Sequence, residues 1–172
     1  EKIELCKKYN FDSINVDLIY ALPTEDMNIL KKDISQILKL DVEHISTYSL
    51  IIEENTALYV KKVKNISEEL DYKMYKYICK KLKNKNYIHY EVSNFAKPGK
   101  ESKHNLTYWD NEEYYGFGVG AHGYINNMRY ENTRSLNKYF DNKFRREELL
   151  VSIQEEMENE IILGLRKLQG VS

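Results

Sequence analysis

An α/β fold built on a parallel sheet or barrel is the class this 172-residue sequence predicts, and three observations carry it. Ser13 to Ala21 is a run of β-branched and apolar residues, and Met27, Leu30, Ile34, Ile37 and Leu38 then recur at helical spacing through Leu40. A second strand-like run follows from His44 to about Ile52. Strand, helix and strand in this order form a βαβ unit, whose crossover is right-handed in nearly all cases and whose strands are parallel.

Residues 1–9 pattern as the end of a helix. Pro23-Thr24 after the first strand places Thr24 as the N-cap of the next helix. A loop spans roughly Glu53 to Ile66, after which Ser67 caps a helix whose Leu70, Met74, Ile78 and Leu82 form an i, i+4 apolar stripe and belong to the core. Tyr87 to Phe95 alternates as a strand, closed by Pro98-Gly99. Tyr124-Ile125 and Met128-Arg129-Tyr130 flank Asn126-Asn127, a two-residue hairpin turn, because asparagine tolerates positive φ. Ser135–Phe140 predicts a short helix and Glu147–Leu168 a long one.

The charges nearly cancel, 26 basic against 27 acidic, so no polycationic surface argues for nucleic acid. No run of about 18 apolar residues is present to span a membrane. The start, Glu1-Lys2-Ile3-Glu4, lacks a signal-peptide layout, so the cytoplasm is the expected location. Cys6 and Cys79 are far apart and form no Cys-x-x-Cys pair, which excludes a zinc ribbon or a self-contained iron–sulfur site by ligand count. The chain opens without Met inside a helical pattern and stops just after another, and is expected to belong to a longer protein.

The densest chemistry lies in His104-Asn105-Leu106-Thr107-Tyr108-Trp109 and Gly116-Phe117-Gly118-Val119-Gly120-Ala121-His122-Gly123. Four of the seven glycines, two of the four histidines and the single tryptophan fall here. Glycines at alternate positions permit close backbone approach, and imidazole, phenol and indole suit a large planar ligand. A glycine-rich turn between strands is the plainer account of the same residues. The spacing of Gly116, Gly118 and Gly120 does not make a dinucleotide fingerprint, since neither the third-glycine spacing nor a following helix is present.

His104 and Tyr108, four apart, share a face if the segment is helical; both residue types serve as haem axial ligands, although a lone histidine is more often only hydrogen-bonded. Asn15 and Asp17 alternate with Ile14, Val16 and Leu18, and so share the opposite face of their strand. A carboxylate in a buried parallel strand needs partners, either ligand hydroxyl or amine groups or neighbouring protein groups. Glu91, Ser93 and Phe95 fall on one side of their strand, as a pocket lining or the wet side of an edge strand. His44 and His89 read as structural. Glu155, Glu156, Glu158 and Glu160 read as a solvated helix face with Ile161, Ile162 and Leu165 turned inward.

Several separated segments resemble one family, in order along nearly the whole chain. Asp17-Leu18-Ile19-Tyr20-Ala21-Leu22-Pro23 is similar to the Asp-Leu-Ile-Tyr-Gly-Leu-Pro strand of the oxygen-independent coproporphyrinogen III oxidase group of radical S-adenosylmethionine (SAM) proteins. His44 to Leu50, Tyr90 to Ala96, Gly116 to His122 and Leu163 to Arg166 match as well. The His-Asn-x-x-Tyr-Trp segment resembles the HemW-type haem chaperones of that group.

The resemblance implies the C-terminal part of a partial (β/α) radical-SAM barrel over residues 1–95. An aromatic and glycine-rich ligand region with a hairpin (96–143) and the start of a helical C-terminal domain (144–172) would follow. It implies haem binding at His104, Asn105, Tyr108 and Trp109, with His104 or Tyr108 at the iron, and SAM contacts at Asp17, Ile51 and His122. A [4Fe–4S] cluster is implied too, but its Cys-x-x-x-Cys-x-x-Cys ligands are not in this sequence, so the chain alone is expected to be inactive. The implied function is haem delivery to acceptor proteins, with peripheral contact at the inner membrane face. The enzymatic alternative is a coproporphyrinogen III dehydrogenase that uses a 5′-deoxyadenosyl radical. A third reading makes 104–123 packing alone. Ala21 stands where the family strand has Gly, Gly123 where Ser is usual, and Ser102 where Cys is common.

Overall fold

The computed structural model describes residues 2–171, which divide into two compact units, one ending at Ser102 and the other beginning at Lys103. The first opens with α1 (Lys2–Cys6) and continues through β1 (Asn15–Tyr20), α2 (Met27–Leu40), β2 (His44–Ser49), α3 (Ala57–Val60), α4 (Glu68–Lys83), β3 (Ile88–Glu91) and β4 (Asn94–Ala96). Its sheet has the order β1-β2-β4-β3. β1 and β2 run parallel, with Asn15 opposite His44 and Asp17 opposite Ser46, as the βαβ pattern predicts.

The two sheet faces differ because side chains alternate along each strand. Leu18, Tyr20, Ile45 and Phe95 point to the core, where they join Leu30 and Ile34 of α2 and Met74, Ile78 and Leu82 of α4. The opposite face carries Asn15, Asp17, His44, Ser46 and Asn94 by register. Ser67 caps α4 as expected, accepting from the Leu70 N–H. The N-cap of α2 is Asp26 rather than Thr24: its carboxylate accepts from the N–H groups of Asn28 (2.7 Å) and Ile29 (2.9 Å). An ionised carboxylate at that end also complements the helix dipole better than a hydroxyl.

The single strand expected over Tyr87–Phe95 is instead a hairpin of β3 and β4, which makes the sheet mixed rather than parallel. Register shifts between His89 and Glu91, so Glu91 faces Asn94, and the Glu91 carboxylate accepts from the Ser93 N–H inside the turn. Glu91, Ser93 and Phe95 therefore do not share one side of a strand. A bulge places two residues against one and turns the chain, which a period-two reading cannot register.

The second unit contains α5 (Lys103–Trp109), β5 (His122–Ile125), β6 (Met128–Asn132), α6 (Leu136–Phe140), β7 (Arg145–Leu150) and α7 (Ile153–Gly164). Its antiparallel sheet has the order β5-β6-β7. Asn126 and Asn127 form the β5–β6 turn at φ 51° and 58°, the pair of positive values that a type I′ turn requires. Ser135 caps α6.

The long helix expected over Glu147–Leu168 divides at Val151. Arg145–Leu150 pairs with β6, and a capping box of Ser152 and Glu155 starts α7. The strand is held across the ladder by Arg146, which donates to both oxygens of Glu131, and by Arg145, which lies over the Tyr130 ring. Ile161, Ile162 and Leu165 are exposed rather than turned inward, because α7 meets its own unit mainly through α5.

Candidate functional site

The polar face of the first unit is organised around His44. Asn15 Nδ2 donates to Asp17 Oδ1 at 2.7 Å, and a carboxylate partner fixes which end of the amide is the donor. Asn15 Oδ1 must therefore accept, and it faces both His44 Nδ1 (2.7 Å) and the Ser46 hydroxyl (3.2 Å). Burial pushes the His44 imidazole below its ordinary value of 6.5, with the Asp17 and Glu101 charges opposing. The neutral ring thus carries its proton on Nδ1 and accepts at Nε2 from the Tyr90 hydroxyl at 2.7 Å. Tyr90 in turn accepts from the Ser102 N–H at 3.3 Å.

Asp17 is exposed, which corrects the expectation of a carboxylate inside a buried strand. β1 is the edge of its sheet, and the core covers only the Leu18 and Tyr20 side. Its Oδ2 meets no donor among the described residues. A fixed carboxylate at a sheet edge fits the hydroxyl or ammonium groups of SAM. Ile51, just beyond β2, is also exposed. His122 belongs to the second unit, where it lines a shallow pocket of about 180 Å³ with Tyr114, Arg129, Tyr130 and Glu131.

His44 and His89, read as structural from the sequence, both have hydrogen-bond partners. His89 stacks on Phe95 at 4.2 Å and faces the Val92 carbonyl. Glu91 is fully buried, and its Oε2 and the Oδ1 of nearly buried Asn94 have no donor. Glu91 and Asn94 are register partners at the bulge, and Asn94 shares a face with Ser46 and Asp17. Glu25 was not singled out by sequence. Its carboxylate accepts from the Leu22 N–H at 3.1 Å and closes the turn after β1. Burial raises its pKa.

In the second unit α5 brings His104 and Tyr108 together edge to face at 4.7 Å, and Tyr108 meets Tyr114 edge to face at 4.5 Å. His104 is exposed, while Asn105, Tyr108 and Trp109 are half-buried. One face of the Trp109 indole is covered by the Arg166 guanidinium at 4.3 Å, and both Trp109 Nε1 and Arg166 Nε lack a hydrogen-bond partner. An exposed imidazole beside a phenol fits haem iron.

The glycines of this region serve close packing within the protein. A Cβ on Gly116 would stand 2.1 Å from the His122 carbonyl oxygen, and one on Gly123 would stand 2.1 Å from the Tyr130 ring. No group of three or more His, Cys, Asp or Glu side chains among the described residues is placed to hold a metal ion, so these residues do not fit a [4Fe–4S] cluster. No helix among them is long and apolar enough to cross a membrane.

In fold the chain is similar to coproporphyrinogen III oxidase (HemN) of Escherichia coli, described as a radical SAM enzyme. The TM-score is 0.78 at 16% identity, covering 95% of this chain and 42% of that one. The two chains therefore share a fold. In sequence the chain is 43% identical to the haem chaperone HemW of Lactococcus lactis and 41% identical to that of Bacillus subtilis. Those matches cover 99% and 98% of this chain and 47% of each relative. A mitochondrial radical SAM domain-containing protein 1 of Danio rerio is 36% identical over 64% of the chain and 26% of that protein. The chain belongs to the HemW-type family of radical SAM proteins. It spans about half the length of the curated relatives it matches. No family model matches it.

Proposed function

We propose that the chain forms part of a haem chaperone that binds haem at α5 and SAM beside Asp17. Such a protein delivers haem to acceptor proteins in the cytoplasm, with peripheral contact at the inner membrane face. The observation that carries this reading is the His104–Tyr108 pair, an exposed imidazole braced edge to face by a phenol one turn along the helix. Such an imidazole reaches iron without first being freed from a buried partner. In this reading His104 meets the iron, Tyr108 sets the ring's orientation, and Asn105 and Trp109 flank the macrocycle.

Asp17 holds polar groups of SAM, with Ile51 as a further contact. The chain's two cysteines cannot supply the three thiolates of the family's cluster motif. In this reading the remainder of the full-length protein supplies them, and SAM with its cluster provides whatever radical chemistry the protein performs.

Two assays on the full-length protein test the function. Haem-loaded protein mixed with an apo haem protein is expected to transfer haem, read as the acceptor's absorption band. Incubation with coproporphyrinogen III, SAM and a reductant is expected to yield no protoporphyrinogen. Decarboxylation without transfer would replace the chaperone with the oxidase.

A further inference from the structure

We propose that His44 is a positioning residue: it holds the Asp17 carboxylate in one orientation through Asn15, and Tyr90 anchors it to the backbone of Ser102. The inference rests on the assignment of Asp17 to SAM and goes beyond it, because His44 reaches Asp17 only through a second side chain, Asn15.

Every link has only one allowed direction. The Asp17 carboxylate accepts only, so Asn15 presents its NH2 to it and its carbonyl oxygen to His44. That oxygen requires the proton on His44 Nδ1, which leaves Nε2 to accept from Tyr90, whose oxygen then accepts from the Ser102 N–H. The relay runs across the sheet from β3 to β1, past β4, whose Ala96 faces His44 in register. A methyl side chain at that place leaves room for the phenol to reach the imidazole. Ser102 is the residue before α5, so the relay starts where the His104 helix leaves the first unit.

Its purpose follows from the exposure of Asp17. A solvated carboxylate on an edge strand samples several rotamers, and ordering it on binding costs affinity. A buried, oriented support removes that cost before the ligand arrives. His44 is 4% exposed and provides that support.

The test measures SAM dissociation constants of the full-length protein by equilibrium dialysis, on variants whose melting temperature shows them folded. Asp17→Asn is expected to weaken binding about tenfold and His44→Leu about fivefold, and the double variant to be no weaker than Asp17→Asn alone, since coupled groups are non-additive. His44→Asn places an amide N–H near Nδ1 and is expected to stay within about twofold of wild type. Nitrogen-15 histidine spectra of the wild type are expected to show the Nδ1–H tautomer for His44.

An Nε2–H tautomer would overturn the relay whatever the ligand. So would unchanged affinity in His44→Leu when Asp17→Asn is weakened, a result that leaves the Asp17 assignment standing. Equal losses in His44→Asn and His44→Leu would reduce His44 to packing. Unchanged affinity in Asp17→Asn would remove the assignment and the relay together.

Discussion

His44 and Asn15 meet at 2.7 Å across adjacent parallel strands, imidazole Nδ1 to amide Oδ1, although 29 residues separate them in the chain. Burial holds the imidazole below its ordinary 6.5, so the folded state takes up its proton less readily than the unfolded state. The associated stability is present above that value and is lost as pH falls through and below it. His89 is displaced in the same direction by burial. Melting temperature is expected to drop between about pH 7 and pH 5, and less steeply in His44→Asn. A flat wild-type profile over that interval contradicts the buried neutral imidazole.

Ala21 adopts φ 61°, a left-handed value that costs a residue bearing a Cβ about 1 kcal/mol. Ala21→Gly is therefore expected to stabilise the first unit by about 0.5–1 kcal/mol in urea unfolding, and Ala21→Val to destabilise it. Loss of stability in Ala21→Gly would show that the methyl group's burial outweighs the backbone strain.

Gly116 and Gly123 leave no room for a methyl group, one against backbone and the other against the Tyr130 ring. Gly116→Ala is expected to cost about 2–3 kcal/mol, because a backbone carbonyl cannot swing aside as a side chain can. A change under about 0.5 kcal/mol, the range of neutral surface substitutions, would refute the contact.

Glu131, nearly buried, accepts from Arg134 at 2.7 Å and from Arg146 at 2.8 Å, and these guanidinium groups hold its carboxyl below the usual range. Stability from a depressed carboxyl is present above the unfolded value and is lost as pH falls through the folded one. Glu131→Gln is expected to melt lower than wild type at neutral pH, with the gap closing in acid. A gap that persists at pH 3 would point to packing rather than charge.

The helices α2 and α4, the β5–β6 turn and the Ser67 cap were legible from spacing and residue type, since each is a local pattern. The β3–β4 hairpin was not, because a bulge at Glu91 hides inside an alternating run. Strand β7 was missed for a related reason: Arg145 and Arg146 pair with Tyr130 and Glu131 of a neighbouring strand, a long-range match that charge-rich local sequence disguises as helix. Asp17, His104 and Tyr108 stood out by residue type. His44 and Tyr90 did not, because their roles arise only when four strands lie side by side.

The central claim is that α5 presents an iron ligand. Haem titration of the full-length protein, followed at the Soret band, tests it in wild type, His104→Ala and Tyr108→Phe. The account predicts a shifted Soret maximum in wild type, at least about tenfold weaker binding in His104→Ala and a smaller loss in Tyr108→Phe. Identical Soret maxima and affinities in wild type and His104→Ala would contradict it.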